Sequence, residues 1–271
     1  MEVRRFALGE LLTISPLTQA FLATLLTWLV TAIGAGLVLF TRRTHQLLMD
    51  GMLAFGAGVM LASSYFSLLA PAAEYALAQR QLPWLVTALG FVSGGLLILL
   101  TDHIMQKRIP DFLVSAGNNR RSILLISSIT LHNIPEGLAI GVSFGALSAG
   151  ASPALATAAW MLAIGIALQN FPEGAAVSLP LRRDGMSRAR AFFYGQLSGA
   201  VEPLSAVIGC LLAVYVQILL PFALSFAAGA MVAVVIAELV PESQRSWHPG
   251  CMTLATLAGF TVMMILDVAL S

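Results

Sequence analysis

Along this chain, apolar and polar positions segregate in blocks of whole helices. Eight apolar stretches, each near the ~20 residues that carry a helix across a hydrocarbon layer, are separated by short polar breaks. They lie at about residues 17–41, 48–70, 83–100, 121–147, 153–181, 188–214, 220–240 and 251–270. The pattern predicts an all-α membrane protein with eight transmembrane helices, forming a single domain over residues 1–271. Three stretches interrupt themselves. The fourth carries His132, Asn133 and Glu136, the fifth Gln169, Asn170 and Glu173, and the sixth Glu202. Ionisable groups at such depth are costly in hydrocarbon and mark functional positions.

Composition agrees. Hydrophobic residues make up 58% and charged residues 10% of the 271. A soluble domain has about 25% charged residues, so this chain has too few to cover a water-facing surface. A net charge of +1 offers no footing for a nucleic acid. Cys210 and Cys251 give neither a disulfide framework nor a CxxC pair. The opening MEVRRFALGELLTISP lacks a cleavage signal and reads as a short tail. Eleven of the fourteen basic residues follow the first, third, fifth and seventh stretches: Arg42, Arg43, Lys107, Arg108, Arg120, Arg121, Arg182, Arg183, Arg188, Arg190 and Arg245. The positive-inside bias then puts those loops in the cytoplasm and both termini outside the cell membrane.

The chain also repeats itself. LHNIPEG at 131–137 and LQNFPEG at 168–174 match at Leu, Asn, Pro, Glu and Gly, 37 residues apart. FGAGVMLASSYFSLLAP from Phe55 and FAAGAMVAVVIAELVPE from Phe226 share Phe, Ala, Gly, Met, Ala and Leu at a constant spacing of 171. Helices two and seven run in opposite directions, as do four and five. Such pairing predicts a 3+2+3 inverted-repeat arrangement, with a site near the bilayer midplane. Its parts are helices 1–3 over about 17–100, helices 4–5 over about 121–181 and helices 6–8 over about 188–270.

His132 and Glu136 stand four apart and share one helix face. Pro135 lacks an N–H, so the carbonyl of Leu131 loses its helical partner beside an imidazole, an amide and a carboxylate. Pro172 does the same for Leu168 on the fifth helix. Glu202 brings a third carboxylate. No Lys or Arg occurs between residues 122 and 181 or between 191 and 244, so bound divalent cations are the partners left. One His, three Glu, two Asn and one Gln, with no thiolate, suit Zn2+, Fe2+ or Mn2+. A binuclear arrangement shares Glu136 and Glu173. His132 and Gln169 complete one pole, with the Met60 thioether at its edge; Asn133, Asn170 and Glu202 complete the other. Ser67 and Glu74 lie toward the outer end of helix two, and Glu238 and Glu242 toward the cytoplasmic end of helix seven. Asp102, His103 and Asp267 read as solvated caps at helix ends.

HNIPEG, QNFPEG and the Glu-Pro of helix six together resemble the ZIP (Zrt/Irt-like) family of divalent-metal transporters, its bacterial GufA-like branch in particular. The resemblance implies import of Zn2+, with Fe2+, Mn2+ or Cd2+ as further substrates, through the two poles just named. It also implies an elevator movement of helices one, four, five and six past helices two, three, seven and eight. In it Glu74 stands for an outer entrance acid and Glu238 for an inner exit acid. Gln169 and Asn170 stand where many relatives carry His or Asp, which leaves less charge at the second pole. The loop after helix three has only His103 where relatives often hold a histidine cluster.

Two other readings stay open: an intramembrane zinc-dependent hydrolase, in which zinc and a Glu activate water, and a proton-coupled carrier using the carboxylates alone. Helix–helix hydrogen bonding is the plain alternative for any one of these polar residues. Whether the working unit is a homodimer is not settled by sequence.

Overall fold

The computed structural model describes residues 14–40, 46–107, 120–150 and 152–270, without the side chains of a few helical residues, His132 among them. Arg4, Arg5, Arg42, Arg43 and Arg108, used above for orientation, lie outside the described residues, as do the side chains of Lys107, Arg120 and Arg121. Among the described residues there is no strand. Eight helical passages follow one another: α1 Pro16–Phe40; α2 Gln46–Ser63, continued through Ser64–Leu69 and Ala70–Ala78; α3 Pro83–Lys107; α4 Arg120–Gly145; α5 Pro153–Arg183; α6 Arg188–Gly199 and Val201–Tyr215; α7 Leu220–Val234, continued through Val235–Leu239 and Val240–Gln244; and α8 Pro249–Leu270. By length and composition, seven are long and apolar enough to cross a membrane. The eighth, α4, spans 26 residues and is the one that carries His132, Asn133 and Glu136.

Helix ends follow local chemistry. Ser152 caps α5, its hydroxyl accepting from the Leu155 N–H at 3.2 Å, with Pro153 in the first turn. Gly185, at φ 99°, makes the left-handed turn between α5 and α6. Two prolines that should have ended helices do not. Pro71 and Pro241 each follow a π-helical turn, Ser64–Leu69 in α2 and Val235–Leu239 in α7. In each the residue before the proline, Ala70 or Val240, bonds back five residues, to the carbonyl of Tyr65 or Val235. The wider turn makes room for the ring and the missing donor. Helix α2 therefore reaches Ala78 and α7 reaches Gln244, beyond the ends expected from sequence. In α6 a proline does break the helix. Pro203 leaves the Gly199 carbonyl without its partner, and the passage splits at Ala200.

The interior is built on small residues. The buried face of α1 is Gln19, Ala20, Ala23, Thr24, Thr27, Thr31, Gly34, Ala35 and Val38, while Leu22, Leu26, Leu29 and Ile33 are exposed. Bulk faces outward because lipid is as apolar as leucine, and small residues let backbones approach. The most extensive packing joins α1 to α5, α4 to α6, α3 to α7 and α2 to α8. Close glycine contacts pin all four pairs and recur at fixed spacings. A Cβ on Gly174 would lie 2.0 Å from the Thr31 carbonyl oxygen, and one on Gly137 2.5 Å from that of Glu202. Gly259 meets the Phe55 carbonyl as Gly94 meets that of Phe226, and Gly58 meets Thr256 as Gly229 meets Phe91. A shift of 171 carries Thr31 to Glu202, Phe55 to Phe226 and Gly58 to Gly229. A shift of 165 carries Phe91 to Thr256 and Gly94 to Gly259, and one of 37 carries Gly137 to Gly174. The two π turns also begin 171 apart, at Ser64 and Val235.

Candidate metal site

Pro135 and Pro172 both lie inside uninterrupted helices, each followed directly by a glutamate. Gly137 and Gly174 next in line bring the backbones of α6 and α1 against α4 and α5. The prolines free a carbonyl and the glycines close the space, so the carboxylates between them are held deep. Asn133, Glu136, Gln169, Asn170 and Glu202 are fully buried and Glu173 is 4% exposed.

The structure brings these groups together. Glu136, Glu173 and Glu202 are close enough to feel one another's charge. The Gln169 amide donates to Glu136 Oε1 across the α4–α5 contact. The Asn170 amide donates to Glu202 Oε1 at 2.8 Å, and the Thr27 hydroxyl donates to Glu202 Oε2. Asn133 Nδ2 donates to the Ser198 carbonyl at 2.7 Å. What remains are acceptors without donors: Glu136 Oε2, Gln169 Oε1, Asn133 Oδ1 and Asn170 Oδ1 are buried and make no hydrogen bond. A buried oxygen left this way costs about 1–3 kcal/mol, and several gathered in one place form the lining that a hard or borderline cation satisfies. Among the described residues no three His, Cys, Asp or Glu are gathered closely enough to hold an ion by themselves. Of His132 only the place on α4 is described.

Met60 is fully buried on α2. Gly56, one turn earlier on the same face, lies against Gln169, with its added Cβ 3.5 Å from that residue's Cβ. Ser67 is buried and donates to both oxygens of Asp267, at 2.9 and 3.0 Å. Asp267 is therefore no solvated cap: α8 packs on α2 and buries it to 5% exposure. Glu74 is exposed, Glu238 is half-buried within the π turn of α7, and Glu242 pairs with Arg245 at the surface. The 171 and 165 spacings carry Ser67 to Glu238 and Asp267 to Asp102. Sequence reasoning missed Thr27 and the buried Asp50. The signal for Thr27 was present. Thr24, Thr27 and Thr31 recur at helical spacing in α1, opposite its leucines.

Known proteins point the same way. Residues 111–267 match the model of a family described as ZIP Zinc transporter. The human protein named Zinc transporter ZIP11 is 39% identical over 337 aligned positions, covering 94% of this chain and 98% of the relative. Zinc transporter ZIPB of Bordetella bronchiseptica is 37% identical, covering 89% and 77%, and zinc transporter GufA of Myxococcus xanthus is 35% identical, covering 92% and 97%. With nearly the whole chain aligned to such relatives and the paired Pro-Glu-Gly turns built into its interior, the chain belongs to the ZIP zinc transporter family.

Proposed function

We propose that this protein moves a divalent metal ion, Zn2+ foremost, across a membrane toward the cytoplasm, and that both termini lie on the outer side. Glu136 and Glu173 take up the charge of the ion, with Gln169, His132 and Met60 around it. Ser67 and Asp267 form a polar station at one end of the path, and Glu238 with Asp102 one at the other. The observation that carries this reading is the set of buried, donor-less oxygens beside carboxylates, in a stretch of sequence with no Lys or Arg. A fixed network of neutral side chains would have matched each acceptor to a donor. Fe2+, Mn2+ and Cd2+ fit the same donor set less selectively. The matched relatives are named transporters, and the hydrolase alternative finds no support among them.

Recurring glycine contacts and matching π turns favour an inverted repeat of α1–α3 and α6–α8 around the pair α4 and α5. They also favour two bodies. The tight pairs join α1, α4, α5 and α6 among themselves, and α2, α3, α7 and α8 among themselves. In this reading the first group carries the ion past the second. The test is Zn2+ uptake into proteoliposomes. Uptake by the wild type that collapses in Glu173→Ala and His132→Ala, with the proteins still monodisperse, is the expected result. Equal uptake in empty liposomes, or by both variants, would overturn it.

A further inference from the structure

Glu202 uses its oxygens differently from Glu136. Both are taken by neutral donors, the Thr27 hydroxyl on Oε2 and the Asn170 amide on Oε1. The ring closes on itself, since Asn170 Nδ2 also donates to the Thr27 backbone carbonyl at 3.3 Å. This carboxylate, fully buried, thus has a neutral partner on each oxygen without a cation. At Glu136 only Oε1 accepts, and Oε2 has no partner.

The amides are oriented to match. Asn170 turns its NH2 end to Glu202 and the Thr27 carbonyl, and its Oδ1 is the end left over. That oxygen and Asn133 Oδ1, whose amide nitrogen is held by Ser198, are among the donor-less acceptors. For Glu202 and Asn170 to bind a cation together, the amide would have to turn over, losing both of its bonds, and Thr27 would have to release Oε2.

We propose that this chain carries one divalent cation per cycle, and that Thr27 and Asn170 are positioning residues that hold Glu202 outside its coordination shell, as a brace joining α1, α5 and α6. The inference rests on the reading of Glu136 and Glu173 as the carriers of the ion, and deepens it. The test counts Cd2+ or Zn2+ retained per chain by protein in lipid nanodiscs, measured by elemental analysis after washing. Wild type retains one ion and Glu136→Gln none. The combination Thr27→Val with Asn170→Asp frees both oxygens of Glu202 and adds a carboxylate, and it retains two. Thr27→Ser, which keeps the hydroxyl, behaves as wild type. Two ions on the wild type would overturn the proposal, and that count needs no variant to fold. So would a single ion on a well-folded Thr27→Val, Asn170→Asp protein. No ion on the wild type is a separate result, and removes the carrier reading itself.

Discussion

At two points related by the 171 and 37 spacings, the molecule makes the same backbone contact and places different chemistry on it. Gly174 of α5 meets the carbonyl of Thr31 on α1, and Gly137 of α4 meets that of Glu202 on α6. Thr31 turns its hydroxyl back to its own helix, donating to the Thr27 carbonyl at 3.1 Å. Glu202 projects a carboxylate into the site, from a helix that Pro203 has broken. The stations proposed for the two ends differ in the same way: a hydroxyl and a carboxylate at Ser67 and Asp267, and the carboxylates of Glu238 and Asp102. Backbone approach of this kind leaves no room for change. Side chains that line the interior space are not held in this way, so the stations proposed for the two ends of the path can be unlike.

The carboxylates common to both Pro-Glu-Gly turns carry the greatest consequence. Glu136→Gln and Glu173→Gln keep size and remove charge. Each lowers Zn2+ uptake by at least about 100-fold, the upper range seen when a metal site loses a supporting group. Uptake initial rates at fixed protein density check this. Equal loss from either half is the expected result; loss from one alone would show that the halves do not share the ion.

The glycine contacts test the backbone side of the comparison. Gly174→Ala places a methyl 2.0 Å from a carbonyl oxygen, and Gly137→Ala one at 2.5 Å. Backbone cannot yield as a side chain can, and overpacking of this kind costs about 1–3 kcal/mol or more. Both variants unfold at lower temperature in detergent, Gly174→Ala the lower of the two. Gly150→Ala, whose added methyl meets nothing within 4 Å, unfolds as wild type.

Much of this was legible in the sequence. Apolar runs of bilayer length gave the helices, because hydrocarbon admits few other backbones. The paired motifs gave five of the buried polar residues, Asn133, Glu136, Gln169, Asn170 and Glu173, and the 171 spacing read from Phe55 and Phe226 reappears in the packing. Three things were hidden. Helix ends at Pro71 and Pro241 were misread because a π turn absorbs a proline, which no local rule announces. Asp267 looked terminal, and its burial depends on α8 lying against α2, some 200 residues away in sequence. Thr27 was passed over because a threonine in a membrane helix usually satisfies itself. Thr27 also bonds the Thr24 carbonyl, at 3.0 Å, and only the approach of α6 shows its second partner.

The unlike ends supply the mildest test. Ser67→Ala removes the hydroxyl that donates to both oxygens of Asp267. Neither residue touches the central carboxylates, so the maximal rate set there stays close to wild type. What changes is the first polar station the ion meets, where a carboxylate loses a donor that fixes its direction. One such bond is worth about 0.5–1.5 kcal/mol net, equivalent to roughly two- to tenfold in an equilibrium constant. The KM for Zn2+ should move by about that factor, with little change in maximal rate. Glu238→Gln, at the opposite end, should move the maximal rate instead, since an ion already carried across must leave past it. Concentration series for the two variants, run in oriented vesicles, separate these effects. If both shift KM alone, the two stations act at the same step and the ends of the path are equivalent in function despite their chemistry.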